Sequence, residues 1–250
     1  MGTEVRRVSD SIVCLRRASY QTCSYIVQTK PGLVLVDAGM DSDAADVHAG
    51  LRSLGADARE VRAILLTHWH NDHAAGAHSI QALTNASVYY HRADEPYFTG
   101  RGGATGARRW VSDLIPEWGV LVLAKGLLGE STPRAVSATQ FVRDGDVLLD
   151  DFVVVETPGH TAGHVSYFYK PDQALFAGDA LAVIGGRVRF MARPVTLDLP
   201  TARASMEKIL ALQPQIVCPG HREPLVIGAA AACGLMRDHI AAGGHWPLLG

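Results

Sequence analysis

The stretch Thr67-His68-Trp69-His70-Asn71-Asp72-His73 sets three imidazoles and a carboxylate within six successive positions. Neutral imidazole and carboxylate are ligands that divalent zinc, iron and manganese accept, and this density is hard to explain as surface decoration. The chemistry it suggests is metal binding, with the metal polarising a water or a carbonyl oxygen. A second cluster, Thr157-Pro158-Gly159-His160-Thr161-Ala162-Gly163-His164, repeats the theme, and Gly178-Asp179 and Pro219-Gly220-His221 add one candidate each. Glycine, proline or threonine flanks these candidates, so the backbone can turn sharply and approach closely there.

The elements that would position these residues share one pattern. Residues 61–66, 150–155, 174–177 and 215–218 are short apolar runs of strand length, and each is followed by one of the polar clusters. The candidates His68, His70, Asp72, His73, His160, Asp179 and His221 therefore stand just past the C-terminal ends of strands, where α/β proteins place their chemistry. A further carboxylate, Asp37, ends the apolar run 33–37 and could stand behind a metal ligand, holding it in place. His164 lies four residues after His160. Gly159 gives His160 the closer backbone approach, so His164 is expected to serve by hydrogen bonding. Of the eleven histidines, His48, His78, His91, His239 and His245 are expected to have surface or packing roles.

Elsewhere the pattern predicts strands over 12–15, 24–29 and 33–37, with a turn at Lys30-Pro31-Gly32. A helix is predicted to start at an Asp41 or Ser42 cap and run to Leu54. Helices are also predicted over 74–83, 92–97 and 200–212, a strand over 87–90, and a hairpin over 165–177. Residues 98–133 loosen into glycines with Trp110 and Trp118, and read as a pocket-lining insertion; 180–199 reads as a loop. From these segments Trp110 and Trp118 are candidate apolar walls, and Arg187, Arg189 or Arg193 a candidate anion contact. Residues 224–250 are expected to form a C-terminal helix and tail on a single domain spanning 1–250.

The chain has 250 residues, 48% hydrophobic and 19% charged, with a formal net charge of −2. That is ordinary globular composition with room for a sizeable core. With no basic block, nucleic acid is disfavoured as a partner. No run reaches membrane-spanning length and no apolar leader is visible, so a cytoplasmic protein without a membrane partner is expected. Four scattered cysteines fit reduced thiols better than a disulfide framework. The partner expected is a small-molecule substrate, and a homodimer is compatible with the sequence.

His68-Trp69-His70-Asn71-Asp72-His73 resembles the HxHxDH signature of the metallo-β-lactamase superfamily, and Asp37, His160, Asp179 and His221 fall in that family's order. The resemblance covers residues 24–223. It implies an α/β fold of αβ/βα type, two mixed sheets with helices outside, and a dinuclear metal site. By that similarity His68, His70 and His160 hold one ion, Asp72, His73 and His221 the second, and Asp179 bridges them. The cofactors implied are two divalent ions, zinc first, with iron or manganese as alternatives. Asp72 is also the candidate catalytic group, orienting the attacking water or passing a proton to the leaving group.

Within the superfamily the Thr-Pro-Gly-His-Thr-Ala-Gly-His form and Gly178-Asp179 are most similar to glyoxalase II-like and lactonase-like branches. The implied activity is hydrolysis of a small ester, thioester or lactone. The lactonase branch often has a tyrosine shortly after the bridging aspartate, whereas Asp179 here is followed by Ala180-Leu181-Ala182-Val183-Ile184. The alternatives on the same scaffold are a single-iron persulfide dioxygenase and a β-lactamase-type amide hydrolase. A non-catalytic binding module stands last, because no ligand position of the motif set is lost.

Overall fold

The computed structural model describes residues 2–99, 133–137 and 139–248. The chain divides into two compact units, Met1–Phe141 and Val142–Gly250. Among the described residues the first is built on a seven-stranded sheet whose strands follow chain order. They are β1 (Thr3–Arg7), β2 (Ile12–Arg17), β3 (Cys23–Thr29), β4 (Gly32–Val36), β5 (Val61–Leu65), β6 (Ser87–His91) and β7 (Thr139–Val142). The meander β1 to β4 is antiparallel, while β4, β5 and β6 run parallel, so the sheet is mixed. Parallel neighbours need crossovers, and helices supply them: α1 (Ala45–Leu54) links β4 to β5, and α2 (Asn71–Ala74) with α3 (Ala77–Thr84) links β5 to β6. Leu33, Leu35, Val61, Ile64 and Val88 from the strands meet Val47, Leu51 and Ile80 from the helices in one buried cluster.

The sequence did not disclose β1, because Thr3, Glu4, Arg6 and Arg7 make it an edge strand with little apolar content. The expected cap of α1 is also displaced. Ala44 occupies that position in the left-handed region at φ 57, without a side-chain cap, while Asp41 instead pairs with Arg17. The helix expected over 74–83 is broken at Ala75-Gly76 into α2 and α3. At the break a Cβ on Gly76 would stand 2.3 Å from the Ala38 carbonyl oxygen, so this point of the chain is pressed against the loop that follows β4 and takes a glycine.

The second unit carries, among the described residues, a five-stranded sheet and a separate two-stranded hairpin. The sheet is made of β8 (Val147–Leu148), β9 (Phe152–Glu156), β10 (Val165–Tyr169), β11 (Ala174–Gly178) and β14 (Ile216–Pro219), in the spatial order β14-β11-β10-β9-β8. It is antiparallel except for the β11–β14 pair. The connection between those two includes α5 (Leu199–Leu210), and α6 (Ala229–Ala241) follows β14 as the expected C-terminal helix. A four-residue helix, α4 (Glu95–Phe98), falls in the first unit where 92–97 was expected to be helical. Met206, Ile209 and Leu210 of α5 and Cys233, Met236 and Ile240 of α6 share a buried cluster with Leu175, Ala177 and Val217.

The segment 180–199 is more ordered than the loop expected. It holds the hairpin, β12 (Ala182–Ile184) and β13 (Arg187–Arg189), and a 3-10 turn at Arg193–Val195. Gly185 and Gly186 form its two-residue turn at φ 57 and 72, the twin left-handed conformation that tight hairpins favour. Arg187 and Arg189 are exposed there, and they border a cavity of about 720 Å³ whose other wall is α6. Trp110, Trp118 and nearly all of the insertion 98–133 lie outside the described residues.

Candidate metal centre

In the first unit, β5 delivers the chain to an extended segment at Thr67-His68-Trp69 and then to the single helical turn α2. His68 and His70, two residues apart, bring their rings to 4.6 Å between centroids, with His68 Nε2 3.1 Å from His70 Nδ1. The turn of α2 then folds Asp72 and His73 back: the His68 and His73 ring centroids are 4.3 Å apart, and His73 Nε2 lies 3.5 Å from Asp72 Oδ2. His68, Asp72 and His73 are buried and His70 partly so.

Asp37 orients this cluster, as a carboxylate at a strand end can. It sits at φ 58, in the left-handed region that Asp and Asn tolerate better than most residues. Its Oδ1 accepts the Thr67 backbone N–H at 2.8 Å, and its Oδ2 accepts the Thr67 hydroxyl at 2.9 Å and lies 2.9 Å from His73 Nδ1. A carboxylate only accepts, so His73 Nδ1 carries the proton and Nε2 is the unprotonated nitrogen. The Thr67 hydroxyl has spent its one hydrogen on Asp37, so at 3.0 Å from His68 Nδ1 it accepts, and His68 is fixed in the same tautomer. One buried carboxylate thus sets two imidazoles, one of them through a threonine.

Beside this cluster Trp69 stacks on Tyr97 at 3.9 Å and meets His70 edge-on at 4.5 Å. Its backbone N–H donates to buried Asp94 at 3.1 Å. Sequence reasoning passed over this pairing, since Trp69 reads there only as a spacer between two histidines.

In the second unit, the cluster after β9 forms a closed turn. The Thr157 N–H donates to the His164 carbonyl and the Gly159 N–H to the Thr161 carbonyl, both at 3.0 Å. Helix α5 supports it from beneath: the Ser205 hydroxyl donates to the Pro158 carbonyl at 2.7 Å. Gly159, at φ 134, lies so close that a Cβ would be 2.5 Å from the Ala202 backbone. Asp198 caps α5 through the Thr201 N–H, while its own N–H donates to the Gly159 carbonyl. Hydrogen bonding from Thr201 holds the Asp198 carboxyl below its ordinary range.

This turn presents His160, whose Nε2 lies 3.5 Å from Asp179 Oδ2; on the other side His221 Nε2 lies 3.4 Å from the same oxygen. The parallel pairing of β11 with β14 brings the last two together, because the Gly220 N–H donates to the Gly178 carbonyl at 2.8 Å. His160 and Asp179 are buried, His221 partly exposed.

His164 stays out of this cluster, as expected. Its Nε2 accepts the Asp179 backbone N–H at 3.0 Å and its Nδ1 faces the Thr157 hydroxyl at 2.8 Å. Of the remaining histidines, His78 donates to the Ala135 carbonyl, His91 accepts from the Ala93 N–H, and His239 contacts the His245 carbonyl. These are local packing roles.

Each unit therefore offers imidazole nitrogens and carboxylate oxygens converging within a few ångströms, a donor set suited to a borderline divalent cation. The comparisons agree with it. The family model of the metallo-β-lactamase superfamily matches residues 18–221. The chain belongs to that superfamily, and its α/β fold is the metallo-β-lactamase fold. Its members are metal-dependent hydrolases, and divalent-metal binding follows for this chain.

Among curated relatives, the chain is 31% identical over 209 residues to the probable metallo-hydrolase YflN of Bacillus subtilis (strain 168), covering 77% of this chain and 76% of that one. It is 35% identical over 150 residues to a hydroxyacylglutathione hydrolase of Methylobacterium sp. (strain 4-46), covering 58% of this chain and 44% of that one. The chain spans about half the length of the hydroxyacylglutathione hydrolases it matches. A metallo-β-lactamase family protein of Thermus thermophilus, TTHA1429, superposes with a TM-score of 0.66 at 21% identity, covering 94% of this chain and 81% of that one. TTHA1623, solved in a di-iron-bound form, superposes with a TM-score of 0.63 at 26% identity, covering 87% and 96%.

Proposed function

We propose that the two clusters act as one dinuclear centre that hydrolyses a small ester, thioester or lactone. His68, His70 and His160 would hold one divalent ion and Asp72, His73 and His221 the other, with Asp179 shared. The observation that carries this reading is the tautomer control at Asp37: His68 and His73 both commit Nδ1–H to the Asp37–Thr67 pair and point an unprotonated Nε2 into the cluster, towards His70 and Asp72 respectively. A surface histidine pair would have no need of it. Bound there, two divalent ions would acidify a water towards neutrality and polarise the scissile carbonyl oxygen. Zinc suits the imidazole-rich set best, and iron or manganese would also be accepted.

The chain's own contribution is positional. Asp37 and Thr67 hold two imidazoles in the ligating tautomer, and the turn 157–164 fixes a third against Asp179. Asp72, 3.5 Å from His73 Nε2, would accept a hydrogen bond from the attacking water and hand its proton to the leaving oxygen or sulfur. An acyl substrate is favoured because relatives named hydroxyacylglutathione hydrolase act on a thioester by that name. The four buried cysteines form no disulfide, which suits work in the cytoplasm.

Metal analysis of protein purified without chelator tests the reading, with about two equivalents of divalent metal expected. It should be paired with a parallel assay of an acyl-homoserine lactone, an acyl thioester, nitrocefin and glutathione persulfide. Turnover of the lactone or thioester that disappears in His70→Ala and Asp179→Asn supports it. Protein that neither carries nor takes up zinc, iron or manganese would overturn it, as would oxygen consumption with the persulfide alone.

A further inference from the structure

The bonds around His164 form a chain with a single allowed direction. The Asp179 backbone N–H occupies the Nε2 lone pair, so the ring proton sits on Nδ1 and is donated to the Thr157 hydroxyl at 2.8 Å. Thr157 Oγ1 lies 3.0 Å from Ser166 Oγ, and the Ser166 hydroxyl donates to the Ala177 carbonyl at 3.2 Å. With the serine proton committed to that carbonyl, the threonine must donate to the serine. Thr157, His164 and Ser166 are each at most 1% exposed, so water does not substitute for any link. The chain leaves the end of β11 at Asp179, crosses the turn after β9 and β10, and returns to β11 at Ala177, two residues from where it began. It ties the turn that carries His160 to the backbone that carries Asp179.

We propose that Thr157, His164 and Ser166 form a one-way hydrogen-bond relay that fixes the Asp179 backbone and, with it, the distance between His160 and Asp179. His164 is thus a positioning residue and contributes no bond to an ion or substrate. The device is neutral throughout, and it works only with His164 in the Nδ1–H form, because a proton on Nε2 would face the Asp179 N–H donor to donor. In its effect on metal this inference rests on the dinuclear reading above; the relay itself does not.

Two measurements separate these. Long-range proton–nitrogen NMR spectra of the metal-free wild-type chain should show His164 protonated on Nδ1 alone. An Nε2–H tautomer, or a ring exchanging between both, overturns the relay whatever the metal content. Zinc affinity, read by competition with a chromophoric chelator, should fall about 10- to 100-fold in His164→Ala, the usual cost of losing the group that orients a ligand. kcat should drop with little change in KM. His164→Gln can still accept from Asp179 and donate to Thr157 and should recover most of the loss. Thr157→Val, nearly isosteric, covers the case in which the alanine variant fails to fold, and should weaken zinc binding in the same direction. Unchanged zinc affinity in folded Thr157→Val, with only a lower melting temperature, would mean a purely structural contact and overturn the proposal. A wild-type chain that binds no zinc yet shows the Nδ1–H form would defeat the dinuclear reading and leave the relay standing.

Discussion

The two candidate clusters are held in different ways. In the first unit one buried acidic side chain, Asp37, gathers a backbone N–H, a hydroxyl and an imidazole, so the orientation of His68 and His73 depends on a single carboxylate. In the second unit the polar groups behind the ligands are neutral: a histidine, a threonine, a serine and a carbonyl set Asp179, while packing against α5 sets His160. The first arrangement suits a cluster of three imidazoles, where a nearby negative charge raises ligand basicity. The second surrounds a cluster whose central group is itself a carboxylate, Asp179, and adds no further acidic side chain behind it.

The contrast is sharpest at the glycines beneath each cluster. A Cβ at Gly76 would meet the Ala38 carbonyl oxygen at 2.3 Å, and one at Gly159 would meet the Ala202 backbone at 2.5 Å. Gly159 also sits at φ 134, a conformation open to little but glycine, whereas Gly76 has ordinary helical angles at φ −76 and ψ −13. Gly159→Ala therefore combines backbone strain with overlap and should cost about 3 kcal/mol or more; Gly76→Ala carries overlap alone and should cost about 1–3 kcal/mol. Denaturant unfolding of both variants checks the order. Equal losses would mean that overlap dominates and the backbone conformation of Gly159 adds nothing.

Asp37→Asn tests the charge side of the comparison. Asparagine tolerates the left-handed backbone at this position, so the change isolates the carboxylate. In one orientation its amide nitrogen would confront the Thr67 backbone N–H; in the other it would confront both the Thr67 hydroxyl and His73 Nδ1–H, and the tautomers that Asp37 sets would be lost. Zinc affinity should fall about 10- to 100-fold, with a stability loss of about 1–3 kcal/mol for the disturbed buried hydrogen bonds. Chelator competition together with thermal melting reads both. A variant that keeps full zinc affinity would show that charge behind His68 and His73 is dispensable, and the distinction between the two clusters would collapse.

Much of this was legible in the residues. Apolar runs ending in polar clusters located β5, β9, β11 and β14 to within a residue or two, because strand periodicity and glycine or proline turns are local signals. Candidate ligands could be proposed because imidazoles at i, i+2 and i+5 have few other uses, and the place of Asp37 at a strand end pointed to the orienting contacts it makes. The partners behind the second cluster were hidden. Ser166 lies inside β10 and looks like any strand serine; only the register that sets β10 against β11 brings it to Ala177. The hairpin β12–β13 had a readable signal in Gly185-Gly186, but Ala182 to Ile184 is too short a run to stand out as a strand. The close contact at Gly76 was unreadable for a different reason, since Ala38, against which it is pressed, is distant in sequence.

The smallest expected effect concerns the entrance to the neutral relay. Just before Thr157, Glu156 ends β9, and its N–H donates to Asp144 Oδ1 at 2.9 Å. Lys208 of α5 reaches the same carboxylate and also donates to the Glu156 carbonyl at 3.2 Å. The Lys208 hydrogen bond holds the Asp144 carboxyl below its ordinary value of 3.8, overcoming the opposing effect of partial burial. A carboxyl whose folded pKa is depressed adds stability above its unfolded value and loses it as pH falls through the folded one. The contribution should therefore be complete above about pH 5 and fade through about pH 4 and below, as Asp144 takes up a proton. Both side chains are nearly half exposed, so solvent screens the pair and the loss should be about a few tenths of a kcal/mol at most. Comparing acid unfolding of wild type and Asp144→Asn isolates it: the two stability curves should converge below about pH 4 and separate slightly above it, and less so in high salt. Curves that stay parallel across the range would remove the clamp from the account of how the His160 turn is held. The neutral relay and the glycine contact with α5 would then be its whole support.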